Sequence, residues 1–331
     1  MRELIPVFRS NYKQFTTIFV VLIIGGQAFS LVGNLDQGDH VWDYYYFMAP
    51  YLWTCDPLEV PQRNDNITRN PLSWWLKCTS HNLFGNYKLL VVPFGIAIMP
   101  LTYMIATRLT GDRLIGLLSL IALVFNPVYT DWAAHGTYDQ VWAFFLLLSF
   151  YFMIGKQNTR SLTGFLVSIV AKSHAILYTP VWLYMIRKDR STVLLVILIF
   201  AAVGLYLVGT DSVRTFVGNG IGFFPERWED AVFRNISLFW QIIPALLLFV
   251  GINRYFVPSN RPRGQKIIAL WMMWVFCMSP LVYFFTLQDT YTYRFVPLAV
   301  FMSIFIGQTI VQVGNWVSEK VINKPSIVKN R

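Results

Sequence analysis

Apolar runs long enough to cross a membrane recur from one end of the chain to the other, and they restrict its possible folds more than any other feature. A membrane-spanning helix needs roughly 17–25 predominantly apolar residues. Because backbone polar groups in lipid must be satisfied within the protein, repeated runs of this kind indicate helices. We therefore predict an all-α polytopic bundle. The predicted spans lie at about 15–33, 87–107, 114–128, 139–154, 192–209, 237–253, 267–286 and 294–314.

Charge is scarce along the whole chain. Only 13% of the 331 residues are charged, against about 25% in soluble domains. We predict a single transmembrane domain over residues 1–331 with no soluble domain, and we expect the first apolar run to be retained as a span. The net charge of +10 is explained by lysine and arginine in cytoplasmic loops, so no nucleic-acid partner is expected.

The segment 161–186 is apolar but carries Lys172, Ser173 and His174 at its centre. As one span it would leave the basic cluster 187–190 on the outer side. As two short helices that turn at 172–174, it returns this cluster to the cytoplasm, in agreement with the positive-inside rule. We therefore predict a short helical hairpin here, about ten membrane segments in all, and two cytoplasmic termini.

This topology separates the charges by side. Most basic residues fall on the cytoplasmic side, whereas most acidic residues and all 4 histidines fall on or near the outer side. Two long outer loops, about 34–86 and 210–236, lie there as well. We expect an integral protein of the plasma membrane, or of the endoplasmic reticulum in a eukaryote, whose site faces the outer or lumenal side. Cys55 and Cys78 share the first outer loop, either bridged or unpaired.

The stretch 35–47, LDQGDHVWDYYYF, places carboxylates where the chain leaves its first span. In a helix, Asp36, Asp39 with His40, and Asp43 would share one face. Neighbouring aromatic side chains suit a membrane interface; they include Trp42 and Tyr45. Either the acids solvate the end of a span, or one of them is a general base held at the lipid–water boundary.

A second outer turn, 129–142, contains Asp131, His135 and Asp139. It is either an ordinary polar turn between spans or part of a substrate site. Asp139 begins the next predicted span, where the helix dipole favours a negative charge.

Two cationic residues, Lys172 and Arg294, also fall on the predicted outer side. Lys172 lies inside a predicted membrane segment, where charged side chains are costly and usually serve a function. The alternative is that its long side chain extends to the interface. Arg294 begins the last predicted span among tyrosines; it is either an interfacial anchor or a phosphate ligand. A base, cations and aromatic residues at one leaflet fit a lipid-linked phosphate substrate.

Four stretches in order resemble a known family. They are GDHVWDYYYFMAPYLW, LTYMIATRLTGDRLIGLLSLIALVFNPVY, YDQVWAFFLLLSFYFM and LTGFLVSIVAKSHAILYTPVWLYMIRKDR. The chain resembles the GT-C integral-membrane glycosyltransferases, and within them it is most similar to the polyprenol-phosphate-mannose-dependent mannosyltransferases. The resemblance covers about residues 15–190 and, more loosely, the last span.

The resemblance implies a function and roles for these residues. The chain would transfer a hexose such as mannose from a polyprenyl-phosphate donor to a lipid, glycan or protein acceptor, with inversion. Asp39 would be the general base, with Asp36 as its rival, and the donor phosphate would bind Lys172, Arg294 and His174. The expected substrate-binding residues are His40, Asp43, Trp42, Tyr45, Asp131, His135 and Asp139.

Two other classes of function fit parts of the pattern. A membrane transporter would also use broken helices and a lysine within a membrane segment. A metal-binding accessory subunit would use the histidines and aspartates of the outer side, although none shows the usual ligand spacing. We expect no cofactor, with a divalent cation at Asp39, His40 and His135 as the alternative.

Overall fold

A computed structural model describes residues 4–33, 71–133, 139–189, 191, 193–198, 201 and 296–322. Within these ranges the regular structure is entirely helical, which confirms the predicted all-α class. The helices are α1 (Leu4–Gly33), α2 (Pro71–Phe84), α3 (Val92–Thr110), α4 (Arg113–Val124), α5 (Pro127–Ala133), α6 (Asp139–Ile154), α7 (Asn158–Ala171), α8 (Thr179–Ile186) and α9 (Val296–Ile322). A 3-10 helix, Ser173–Tyr178, joins α7 to α8.

The apolar predictions agree with these bounds. α1 and α3 contain stretches long and apolar enough to cross a membrane, Gln14–Gly33 and Val92–Thr110. α6 begins and ends where the span 139–154 was predicted. α1 presents large apolar side chains outward, among them Phe29, which is 83% exposed. Such a surface is suited to lipid rather than to water.

In the core, α4 packs against α3 and α9, and α6 packs against α3 and α7, while α1 lies against α3 and α4. α4 and α9 come together at Gly307. A Cβ built on Gly307 would lie 2.7 Å from the backbone nitrogen of Ser119 and 2.9 Å from the backbone oxygen of Ile115. Small residues at helix contacts permit this close approach in membrane proteins.

We expect Gly307→Ala to destabilise the bundle by about 1–3 kcal/mol, because its methyl group has no space against the backbone of α4. Gly314→Ala is the matched control, since Gly314 lies in the same helix with nothing within 4 Å of the added carbon. Thermal unfolding in detergent measures both variants. Equal unfolding midpoints for the two would contradict the close contact.

The predicted hairpin is present. α7 ends at Ala171, Lys172 is extended (φ −156°, ψ 119°), and the 3-10 helix and α8 follow. The side-chain amide of Asn158, at the start of α7, donates to Asp189, just after α8, at 2.5 Å. The chain therefore returns to the end of the bundle from which it entered the hairpin.

Trp182 of α8 holds the hairpin against α6. Its indole N–H lies 3.0 Å from the Ser149 hydroxyl of α6 and 3.1 Å from the Ser161 hydroxyl of α7. Its ring stacks on Phe165 with centroids 5.1 Å apart. Because the indole is fully buried, this hydrogen bonding satisfies a polar group that would otherwise be costly.

Candidate functional site

Lys172 lies at the break between the two arms of the hairpin. Its backbone N–H donates to the Ser168 carbonyl at 2.9 Å, which completes the last turn of α7. Its side chain is only 4% exposed. A buried ammonium group is costly unless it is paired.

α2, which lies in the predicted first outer loop, covers this break. The Ser73 hydroxyl donates to the Ala171 carbonyl at 2.9 Å, so the start of α2 contacts the residue directly before Lys172. Lys77 lies one turn further along α2, on the same face as Ser73, and is 2% exposed. The opposite face carries the exposed Trp75, which suits a helix that lies along the membrane interface.

The turn that follows α2 brings in a third buried lysine. The ammonium groups of Lys77 and Lys88 lie 5.8 Å and 5.7 Å from the centroid of the Tyr87 ring. These distances are at the limit of favourable cation–π contact. The Ser80 hydroxyl fixes the turn, because it donates to the Asn86 carbonyl at 2.6 Å.

The start of α6 lies beside the helix break. The Ser168 hydroxyl of α7 donates to the Trp142 carbonyl at 2.9 Å, and the Trp142 and Tyr178 rings lie 5.8 Å apart. Lys172 is one turn beyond Ser168, and Asp139 is about one turn before Trp142. The beginning of α6 and the end of α7 therefore lie side by side.

α5 reaches the same end of the bundle. The Tyr129 hydroxyl donates to the Gly95 carbonyl at 2.8 Å, and burial raises the pKa of this phenol, so the donor stays protonated. A Cβ on Gly95 would meet the Ala133 oxygen at 2.9 Å and Gln140 at 3.4 Å. Only glycine permits this close contact of α3 with the end of α5.

Buried lysines are found at this end of the bundle. In the part of the chain that the structure describes, the buried charged side chains are Lys77, Lys88 and Lys172. None of the three is without a partner. We call these three residues the lysine cluster, because Lys77 and Lys88 share the Tyr87 ring and α2 contacts the residue before Lys172. Ammonium groups can form charge-assisted hydrogen bonds with an anion such as a phosphate.

The structure places only part of the sequence-predicted site. Asp131 lies in α5, Asp139 begins α6, and His174 lies in the 3-10 helix. Residues 129–133, which were predicted to belong to a polar turn, are therefore helical. Metal-ligand clusters are absent from the described ranges, which do not include the predicted cation ligands. The other predicted residues fall outside the described ranges: Asp36, Asp39, His40, Trp42, Asp43, Tyr45, His135 and Arg294.

Lys77, Lys88 and α2 itself are absent from the sequence predictions. Their signal is present in the sequence, because Ser73, Lys77 and Ser80 recur with helical spacing in a stretch that begins with Pro71. Cys78, on the same helix, is disulfide-bonded. The other cysteines, Cys55 and Cys277, lie outside the described residues, so the pairing with Cys55 stays a prediction.

The described part of the chain is an all-helical bundle with two helices long and apolar enough to cross a membrane. Its fold is similar to that of ArnT from Cupriavidus metallidurans. The apo crystal structure of ArnT aligns with a TM-score of 0.60 and 16% identity, over 92% of this chain and 62% of ArnT. The crystal structure of ArnT bound to undecaprenyl phosphate aligns with a TM-score of 0.60 and 17% identity, over 93% of this chain and 63% of ArnT.

Sequence comparison adds little to the structural one. No protein-family model matches the chain. An uncharacterized protein of Aquifex aeolicus is 27% identical over 124 residues, which are 36% of this chain and 25% of that protein. The chain thus spans less than two thirds of ArnT and a quarter of the Aquifex protein.

Proposed function

We propose that this chain is a membrane glycosyltransferase that moves a sugar from a polyprenyl-phosphate donor to an acceptor hydroxyl at the outer or lumenal leaflet. The observation that carries this proposal is the lysine cluster at the helix break. It lies in a fold shared with a protein that was crystallised with undecaprenyl phosphate. The sugar is a hexose such as mannose, and the acceptor is a lipid, a glycan or a protein.

The donor phosphate is assigned to the lysine cluster. In this proposal Lys172, buried at the break that follows α7, binds the phosphate while the polyprenyl chain stays in the membrane. Arg294 is proposed as a second ligand and His174 as a neighbour. Charge-assisted hydrogen bonds from these groups would stabilise the negative charge that develops on the leaving phosphate.

The acceptor is activated by Asp39 in this proposal. Its carboxylate takes the proton of the acceptor hydroxyl, the oxygen forms a bond to the anomeric carbon, and the bond from that carbon to the phosphate oxygen breaks. Polyprenyl phosphate leaves with the electron pair. A single displacement inverts the configuration at the anomeric carbon, and it requires no cofactor.

Purified full-length protein in lipid vesicles tests the activity. Radiolabelled polyprenyl-phosphate hexose and a lipid or glycan acceptor are supplied, and the product is separated by chromatography. We expect labelled acceptor of inverted configuration and release of polyprenyl phosphate. Movement of intact labelled donor between leaflets without transfer would instead support a transporter.

A further inference from the structure

A cavity lies at the end of the bundle opposite Lys172. Its volume is about 570 Å³, and it is formed where α3, α6 and α8 end and α7 begins. Asn158, the first residue of α7, lines it, whereas Lys172 follows the last residue of that helix. The length of α7 therefore separates this cavity from the lysine cluster, and the proposed transfer reaction does not use it.

The wall of the cavity carries a net positive charge. Arg108, Lys156 and Lys188 line it, together with a single carboxylate, that of Asp189. The Asp189 carboxylate accepts from the Asn158 amide at 2.5 Å and from the Ser191 hydroxyl at 2.7 Å. Three cations against one hydrogen-bonded carboxylate suit an anionic ligand.

Arg108 is held in a defined position. Its guanidinium carbon lies 4.6 Å from the centroid of the Tyr151 ring, a favourable cation–π distance. A Cβ on Gly155 would collide with the same guanidinium group, so the glycine leaves the space that Arg108 occupies. An aromatic face and a glycine thus fix a cation whose side chain is otherwise exposed.

The backbone of Lys156 is strained. Lys156 has a φ of +57°, and it is the only residue other than glycine with a positive φ in the described ranges. It closes the end of α6, where its N–H donates to the Met153 carbonyl at 3.0 Å. Helix ends of this geometry favour glycine, so a lysine here points to a use for its side chain.

The floor of the cavity is apolar. Met153, Ile154, Met185 and Ile186 line it, and they belong to the last turns of the apolar helices α6 and α8. A ligand that fills this space must combine an anionic group with an apolar body. A free phosphate compound offers only the first, whereas a phospholipid at the membrane boundary offers both.

We propose that this cavity binds the headgroup of an anionic phospholipid, with its phosphate against Arg108, Lys156 and Lys188. Basic pockets between membrane helices are known to hold such headgroups. The distribution of basic residues predicts that this end of the bundle is cytoplasmic. The lipid would therefore come from the leaflet opposite the one that supplies the sugar donor.

Native mass spectrometry of the full chain, with added phosphatidylglycerol or phosphatidylcholine, tests the proposal. We expect preferential retention of phosphatidylglycerol, and at least about a tenfold loss of that retention in Lys156→Gly combined with Lys188→Gln. Lys156→Gly also removes the backbone strain, so the unfolding midpoint without lipid should not fall. Lys188→Gln alone, which leaves the backbone untouched, should reduce retention in the same direction.

Arg187→Gln is the matched control. Arg187 is next to Lys188 and carries the same charge, but it stacks on Tyr184 at 3.9 Å and does not line the cavity. It should retain phosphatidylglycerol nearly as well as the unmodified protein. Three results would each overturn the proposal: no preference for the anionic lipid, an equal loss in Arg187→Gln, or displacement of the lipid by millimolar inorganic phosphate.

Discussion

Replacing the proposed base by its amide, Asp39→Asn, is expected to lower sugar transfer by about 10²–10⁴-fold while donor binding is retained. The asparagine keeps the shape of the side chain but cannot accept the proton of the acceptor hydroxyl. Initial rates with labelled donor measure the loss of sugar transfer, and equilibrium binding measures whether the affinity for the donor is retained.

Asp36→Asn and Asp43→Asn are the controls for this experiment, because they change neighbouring carboxylates in the same stretch in the same way. If Asp39→Asn stays active while one of them is inactive, the base is a different carboxylate of the same loop. If all three stay active, the glycosyltransferase proposal fails and the transporter gains support.

The second large effect is expected from Lys172→Met. Methionine has nearly the length of lysine but no charge, so the variant should fold while losing stabilisation of the leaving phosphate. Turnover should fall by about 10²–10³-fold, by analogy with the removal of one donor to a developing oxyanion. Lys172→Arg should recover part of the rate, because it restores a cation at this position.

Arg187→Met is the control for Lys172→Met, because Arg187 is an exposed cation at the other end of the same hairpin. It should transfer sugar at an unchanged rate. Unchanged turnover in Lys172→Met, with normal expression, would show that Lys172 is not a phosphate ligand. A fall in both variants would indicate a general effect of charge on the fold.

The hairpin shows what the sequence could predict. The charge of Lys172 inside an apolar segment and the basic cluster after it required a turn, and the contact between Asn158 and Asp189 confirms that turn. The start of α6 at Asp139 was also predicted, since a carboxylate is favoured in the first turn of a helix. These features depend on local charge and hydropathy, which a sequence displays directly.

The lysine cluster could be predicted only in part. α2 is amphipathic and has 14 residues, so it fails a search for long apolar spans although it covers the helix break. Lys77 and Lys88 lie on the predicted outer side, where the positive-inside rule disfavours lysine. This exception to the rule was a further sequence feature that could have pointed to them. Their convergence with Lys172 depends on long-range packing, such as the Ser73 contact with Ala171, which local patterns do not contain.

The shortness of the hairpin arms has a consequence for biosynthesis. α7 has 14 residues, about 21 Å of helix, and the other arm has the 6 residues of the 3-10 helix and the 8 of α8, about 24 Å, both less than the roughly 30 Å of a hydrocarbon core. Neither arm can therefore be released into lipid as an independent span. We therefore expect the hairpin to insert against α6 once that helix is in the bilayer, because Trp182 hydrogen-bonds to Ser149 of this earlier segment. The assembly of the helix break therefore depends on the synthesis of α6 before the hairpin.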